Sequence, residues 1–590
     1  MMNGMTATAA VGKTGVLTSD GPARTLASTT AWTGICALVL VAPFEGLTPL
    51  VELPGQLVTS VETALVCVFS AWFAALVWTR VMPAWRTSLT LPWIVLVATM
   101  LVAAVAAPAH RANAVHMVGR LGVGLGIFLL TVNGVTTPAR LRGVLVAGAA
   151  AGAIISVLVV LEYLGVELVM RWLLLFRERV TVIGPQVRAG GPFQYPTIAS
   201  MYLEILFALV LALLPMTFDA GRRALSVVVF LLLALIAEAI TLTFTRAGLV
   251  TMATSAGIVG LLRYRRQGLD GGVKAIGALS VVIGIQFFAS RPAESLMLRM
   301  TTEGQQSWYS AVIEAPSEIA LRTGAVVSIP VKLTNTGRST WDPAAAAPLL
   351  LSYHWLAPDG ERVVDFEGWR TPFPDAVAPG ATIAVDARVK APGVPGRYRL
   401  LWDVVLERRL WFSGEPNAER IFSSATVTGS PVGPPPVSRV TRLPRRVPRP
   451  GRITLWRAGI RMVKAHPLLG VGPDNFHLIY GEYADLPYFD TRVHTNNMYL
   501  EMLVGGGIVG GLAFAWLCAC AFTECVRGVR KAAPEMAAAA TGVAAGGAAI
   551  ALHGIVDSFL SFTGIYVLIS ITLGLAVASA ALDNLDANRI

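Results

Sequence analysis

Residues 224–242 read ALSVVVFLLLALIAEAITL, an apolar run flanked by Arg222 and Arg223 on one side and Arg246 on the other, with Glu238 its one charge. An α-helix rises about 1.5 Å per residue, so about 20 such residues cross the roughly 30 Å hydrocarbon core of a bilayer. The run therefore predicts a membrane span. The pattern recurs along the chain, giving twelve candidate spans centred on Ala37, Val68, Val97, Gly124, Gly152, Ala208, Leu232, Ala256, Val281, Gly510, Ala544 and Ser570. Composition agrees: 54% of the 590 residues are hydrophobic, 14% are charged and the mean hydropathy is +0.62. Soluble domains carry roughly 25% charged residues, so an ordinary cytosolic enzyme is excluded. Five cysteines are too few for a disulfide framework.

A net charge of +11 would suit a nucleic-acid partner, but the basic residues sit in short loops between apolar runs, so none is expected. Arg80 with Arg86, Arg140 with Arg142, Arg222 with Arg223, Arg263 with Arg265 and Arg266, and Arg527 with Arg530 and Lys531 occupy alternate loops. The positive-inside bias assigns these loops to the cytoplasm. Both termini are then cytoplasmic, and the Glu45–Glu52 loop, the segment 164–195 and the stretch 290–496 lie outside. The polar N-terminal stretch has no cleavage pattern, so no removable signal peptide is expected. The expected location is the cytoplasmic (inner) membrane.

Ionisable groups within spans are costly and point to function. The topology puts Glu62, His116, Arg120, Glu162, Glu204, Glu238, Glu501 and Asp557 in the outer halves of their spans. A transporter would instead gather such groups at the midplane on interrupted helices. The one-sided pattern predicts a polar chamber open to the outside, the bland alternative for any single residue being a side chain that snorkels to the interface.

The segment between spans nine and ten is too long for a loop. Alternation in Val326–Leu333 and Ala381–Val389, the turn Asp359-Gly360, and the runs Leu349–Trp355 and Tyr398–Leu406 predict an immunoglobulin-like β-sandwich over 320–428 without cysteine. Its aromatics Trp341, Tyr353, Trp355, Trp369, Trp402 and Trp411 either form a glycan-stacking face or fill the core. Residues 429–451 read as a stiff Pro/Arg-rich linker, and Ile453–His466, with Leu455, Ile460 and Val463 at helical spacing, as a helix lying on the membrane. The expected organisation is a tail over 1–30, helices one to nine over 31–290, the insert over 291–451, a catalytic loop over 452–496, helices ten to twelve over 497–582 and a tail over 583–590.

Three segments on the predicted outer side concentrate polar groups: VRAGGPFQYPTIASMYLE (187–204), TLTFTRAGLV (241–250), and HPLLGVGPDNFHLIYGEY continuing to VHTNNMYLEMLVGGGIVGGLAF (466–514). With these segments the chain resembles the O-antigen ligase and O-antigen polymerase (Wzy C-terminal) superfamily, over roughly 30–290 and 452–582 and not over the sandwich. The most specific piece is the family pattern His-[Asn/Ser/Gln], nine residues, Gly-x-x-Gly. Here Asn497 precedes Met498 to Gly506 and then Gly507-Ile508-Val509-Gly510, while Asn496 fills the histidine slot and His494 lies two residues earlier. The family's two external arginines map onto Arg188 and Arg246.

The resemblance implies a polytopic, GT-C-like fold of about twelve helices and a metal-independent glycosyltransferase without a cofactor. Its donor would be a glycan on undecaprenyl pyrophosphate, its acceptor a glycan or lipid, and the anomeric configuration would invert. The chemistry fits these residue types: arginine is permanently charged and forked for phosphate, so Arg188 and Arg246 are the candidates to stabilise the departing pyrophosphate. A near-neutral imidazole, His494, is the candidate base; if the shifted register holds, Asn496 replaces it with an orienting amide. Asn496, Asn497, Glu238, Glu501, Asp474, Asp557 and Arg120 are candidate substrate-binding residues, Glu238 lying about two helical turns before Arg246 to hold it. Gly505–Gly507 and Gly510–Gly511 are expected to serve close packing, and GVGPDNF (470–476) a structural turn. A lipid-linked glycan flippase and a non-catalytic, surface-anchored glycan-binding protein are the alternatives.

Overall fold

The computed structural model describes residues 22–289 and 308–587, apart from 54–55, 179, 184–185, 346–347, 408–409, 416–417, 434–437, 439, 444–446, 448–449 and 534–535. The expectations for residues 1–21, 290–307, 588–590 and parts of the linker lie outside the described residues. The chain opens with α1 (Pro22–Val41), the short strand pair β1 (Val51–Leu53) and β2 (Gln56–Val58), α2 (Ser60–Thr79), α3 (Thr90–Ala106), α4 (Arg111–Gly134) and α5 (Pro138–Tyr163). There follow α6 (Glu167–Leu173), the short strand pair β3 (Val182–Ile183) and β4 (Gln186–Val187), α7 (Pro196–Leu211), α8 (Leu213–Asp219), α9 (Arg223–Leu242), α10 (Arg246–Gln267) and α11 (Gly271–Ala289). After the insert come α12 (Arg452–Ala465), α13 (Phe476–Tyr483), α14 (Met498–Lys531), α15 (Ala537–His553) and α16 (Thr563–Ala587).

Among the described residues, ten helices are long and apolar enough to cross a membrane, α7 and α8 counting as one. The other two predicted centres, Val97 and Ala544, fall in α3 and α15, apolar helices of 17 residues each. Such a helix spans about 25 Å, the lower limit for a crossing, so the expected count of twelve turns on these two. Helix α7 is buried on every face from Pro196 to Leu211, as an all-round apolar helix must be at the centre of a bundle.

The insert holds ten strands between Ala311 and Thr428 in two sheets. One runs β10 (Thr371–Pro372), β8 (Leu349–Leu356), β12 (Gly396–Leu406), β14 (Ile421–Thr428), β6 (Glu318–Arg322), with short β9 (Val363–Asp365) on β8 and β13 (Leu410–Trp411) on β12. The other is β11 (Thr382–Lys390), β7 (Val326–Asn335), β5 (Ala311–Glu314). Side chains alternate with period two: Ile329, Val331 and Leu333 of β7 and Val385, Ala387 and Val389 of β11 face a core shared with Leu400, Trp402 and Val404 of β12. Trp341, Tyr353, Trp355 and Trp402 are buried in this core and form no glycan-stacking face. They join Trp308, Tyr309, Phe373 and Phe412 in filling the space between the two sheets. Trp369 is exposed, with Arg388 over its ring at 5.2 Å, and Arg370 covers Trp411 at 4.9 Å.

Helix α12 buries Leu455, Ala458, Gly459 and Met462 against the start of α14, while Ile453 and Ile460 are exposed. The expected interfacial helix is thus seated on protein along one face. Helix α14 is broken at Gly507 (φ 60°), and the chain before α13 pairs with the break. Ile508 N–H donates to Pro467 O (2.8 Å), Val509 N–H to Leu468 O (3.2 Å), Val471 N–H to Val504 O (3.0 Å) and Gly472 N–H to Gly505 O (3.1 Å). A Cβ on Gly507 would stand against the Leu468 carbonyl and 2.6 Å from Gly470 N. The Gly507→Ala variant is therefore expected to lose about 2–5 kcal/mol, from left-handed backbone strain plus overpacking. Gly277→Ala on α11, where a Cβ meets nothing within 4 Å, should leave thermal stability in detergent unchanged or slightly raised.

Candidate active site

The connection from α13 to α14 places His494 in front of a helix start. Asn497 caps α14: its side-chain oxygen accepts from Leu500 N–H (2.9 Å) and its amide donates to Ile555 O (3.0 Å). The Asn497 side chain is thus spent on structure, and Asn496 before it takes a left-handed conformation (φ 52°). Glu501, in the first turn, is buried, with Oε2 accepting the Thr495 N–H (3.0 Å) and hydroxyl (2.8 Å). Its Oε1 lies 3.6 Å from His494 Nδ1, and Asp474 Oδ1 lies 3.8 Å from the same nitrogen. Both separations exceed a hydrogen bond, and His494 Nδ1 and Glu501 Oε1 are buried without a hydrogen-bond partner among the described residues.

Asp474 is held by the Ser561 hydroxyl (2.8 Å), and its other oxygen is 3.8 Å from His477 Nε2. The His477 and His494 rings are 4.8 Å apart. Burial by itself would lower the His494 pKa, but the adjacent Glu501 carboxylate, then Asp474 and Asp557, outweigh it and hold the imidazole above its ordinary value. The cationic form is thereby favoured in the fold. Its contribution to stability is complete below the ordinary imidazole pKa and is lost as pH rises through the raised one. Ligand atoms of Asp474, His494 and Glu501 all lie within 4.8 Å of one another, a nitrogen and oxygen set of the kind that divalent cations accept.

The arginines belong to a second, cationic part. Arg188 follows β4 (Gln186–Val187), and its guanidinium donates to Thr243 O (2.6 Å) and to the Thr245 hydroxyl (3.2 Å). These acceptors form the turn from α9 to α10, whose first residue is Arg246. Glu238 lies on α9, so its separation from Arg246 crosses a helix break and is not two turns of one helix. The Arg188 loop is fixed from below: buried Glu162 accepts the Gly190 and Gly191 N–H groups (3.0 and 2.8 Å) and pairs with buried Arg177 at 2.7 Å. A buried carboxylate is tolerable only with such partners.

Arg120, on α4, donates to Ser561 O (2.6 Å), the residue whose hydroxyl holds Asp474. Asp557, expected within a span, lies in the connection from α15 to α16, where it accepts the Ser558 N–H (2.8 Å) and acts electrostatically on His494. Asp474 and Glu501 line a narrow pocket walled by Met100, Met117, Met502 and Leu560.

Several contributors escape sequence reading. His477 carries the local signal Asp474-x-x-His477; Thr495, Ser561 and Glu45 carry none. Glu45 accepts the Thr563 (2.8 Å) and Thr59 (3.1 Å) hydroxyls. Glu204 is expected at this end, but its partner, His553 at 2.8 Å, is 349 residues away and is joined to it by folding alone.

Residues 446–515 match a family model described as O-antigen ligase. The match spans Asp474, His477, His494, Asn496, Asn497, Glu501 and the Gly507–Gly510 break, is consistent with the O-antigen ligase and polymerase superfamily, and leaves Arg188 and Arg246 outside it. No curated protein matches the chain.

With the raised His494 pKa as premise, a reaction needing neutral imidazole should show an acid limb above the ordinary histidine value. Glu501→Gln removes the nearest anion and is expected to move that limb to lower pH, read from a kcat/KM profile between pH 5 and 9.

Proposed function

We propose that this multi-pass membrane protein, matched to the O-antigen ligase family over the segment that carries its histidine, transfers a glycan from undecaprenyl pyrophosphate to an acceptor hydroxyl at the outer face of the inner membrane. The observation that carries this reading is the pairing of a buried histidine, set between Glu501 and Asp474, with an arginine turn at the same end of the bundle. In this reaction the acceptor oxygen attacks the anomeric carbon and its proton passes to His494, whose Nδ1 faces the carboxylates and whose Nε2 takes the proton. The bond from the anomeric carbon to the pyrophosphate oxygen breaks, and its electron pair leaves on the pyrophosphate. Arg188 and Arg246 stabilise that charge as it develops. A single displacement inverts the anomeric configuration, and no metal takes part.

Arg492, two residues before His494, lies within electrostatic range of Tyr195 and Glu178, so the histidine loop borders the arginine loop. The extracytoplasmic orientation rests on the alternation of basic loops. Glu501 and Asp474 act on the charge of His494 by their proximity. The Asp474, His494 and Glu501 spacing also favours a second reading, in which a divalent cation replaces the proton acceptor.

The test is purified full-length protein with labelled lipid-pyrophosphate glycan and acceptor. Release of the carrier pyrophosphate without added nucleotide is expected, reduced about 10²–10³-fold in Arg246→Ala and in Arg188→Ala, and unaffected by a chelator. Turnover surviving both substitutions would remove the mechanism. Loss on chelation with restoration by Mn²⁺ or Mg²⁺ would favour the cation reading.

A further inference from the structure

The reaction above assigns no part to the two-sheet insert, yet the insert reaches the arginine turn. We infer that the insert is an integral support of the donor site, and that Phe244 is the positioning residue through which it holds both arginines. The inference rests on the reading of Arg188 and Arg246 as donor-binding residues.

Phe244 lies between Thr243 and Thr245, the two residues that accept the Arg188 guanidinium, and two residues before Arg246. Its φ of 52° is left-handed, a conformation that an aromatic side chain adopts only when its surroundings over-determine it. Those surroundings belong to the insert. Phe244 is 5% exposed and is part of one hydrophobic cluster with Trp308, Tyr309, Trp341 and Phe412. Within the cluster, Phe412 stands 5.7 Å from Tyr309 and 6.0 Å from Trp341.

A second contact points the same way. Tyr163, the last residue of α5, packs against the same cluster. It follows Glu162, whose carboxylate holds the Gly190 and Gly191 amides of the Arg188 loop. The insert core therefore touches the arginine turn through Phe244, and Tyr163, beside the residue that holds the Arg188 loop, packs against the cluster containing Phe244 as well as against the bundle core. The His494 cluster is built separately, from α14, the 467–474 loop and the α15–α16 connection. Loosening the insert should consequently weaken donor binding while leaving the acceptor side intact.

The experiment uses the full-length protein in lipid nanodiscs, with an undecaprenyl-pyrophosphate glycan and acceptor varied independently. Phe244→Ala and, on the insert side, Tyr309→Ala are each expected to raise donor KM about tenfold or more, since sub-ångström placement of charged groups governs such sites. Acceptor KM stays at the wild-type value, the double variant is no worse than the poorer single one, and Phe244→Tyr retains wild-type donor KM. A wild-type donor KM in Tyr309→Ala, or an equal rise in both KM values, overturns the inference even if Phe244→Ala fails to fold. Arg246→Ala runs alongside: full turnover there defeats the donor-site reading itself, whereas loss there with unchanged Tyr309→Ala defeats only the role of the insert.

Discussion

The arrangement depends on a helix broken inside a bundle and repaired by another stretch of backbone. In hydrocarbon every unpaired amide or carbonyl is costly, so irregular chain is tolerated only where protein satisfies it. At Gly507 the hydrogen bonds of α14 are interrupted, and residues 467–472 supply partners on either side of the break. That pairing brings Asp474, just beyond Gly472, to Glu501, one turn before Gly505. His494 then falls between them because Asn497 caps the same helix. The glycine-rich pattern is thus a requirement for backbone approach, and the acid cluster is its consequence.

Around this seam the charges are sorted. Carboxylates and histidines gather around the start of α14, the 474 loop, α13 and the α15–α16 connection, whereas Arg246 opens α10 and Arg188, after β4, is hydrogen-bonded to the turn before it. Segregation of this kind suits a transfer in which one partner loses a proton and the other departs as an anion, because each group meets the field its charge change needs. Deep ionic groups, Glu162 with Arg177 and Glu204 with His553, are paired, and the former fixes the backbone of the Arg188 loop.

The insert fits the same logic. Its large aromatics mostly go inward, since two small sheets bury enough area only with tryptophan and tyrosine between them. The cluster they form extends beyond the sheets to Phe244, with Tyr163 packed against it, so insert and membrane bundle meet in an apolar contact at the arginine turn.

What could be read from the chain alone is what depends on local order. Apolar runs of span length mark the helices because the bilayer imposes a length. Period-two alternation marks β7 and β11, and the Asn497 to Gly507 spacing marks the family segment. Arg188, Arg246, His494, Glu501 and Asp474 could be named because charge and imidazole are conspicuous in such a composition. Tertiary structure alone decided that Glu501 faces His494 while Thr495 holds its other oxygen, that His477 stands beside them, and that Asn497 is spent on a cap. It also decided that Trp341, Tyr353, Trp355 and Trp402 are core and that Asp557 lies outside the helices. Pattern reports which groups must leave water or lipid; which partner each one meets is settled by contacts between residues hundreds of positions apart, and no local periodicity encodes those.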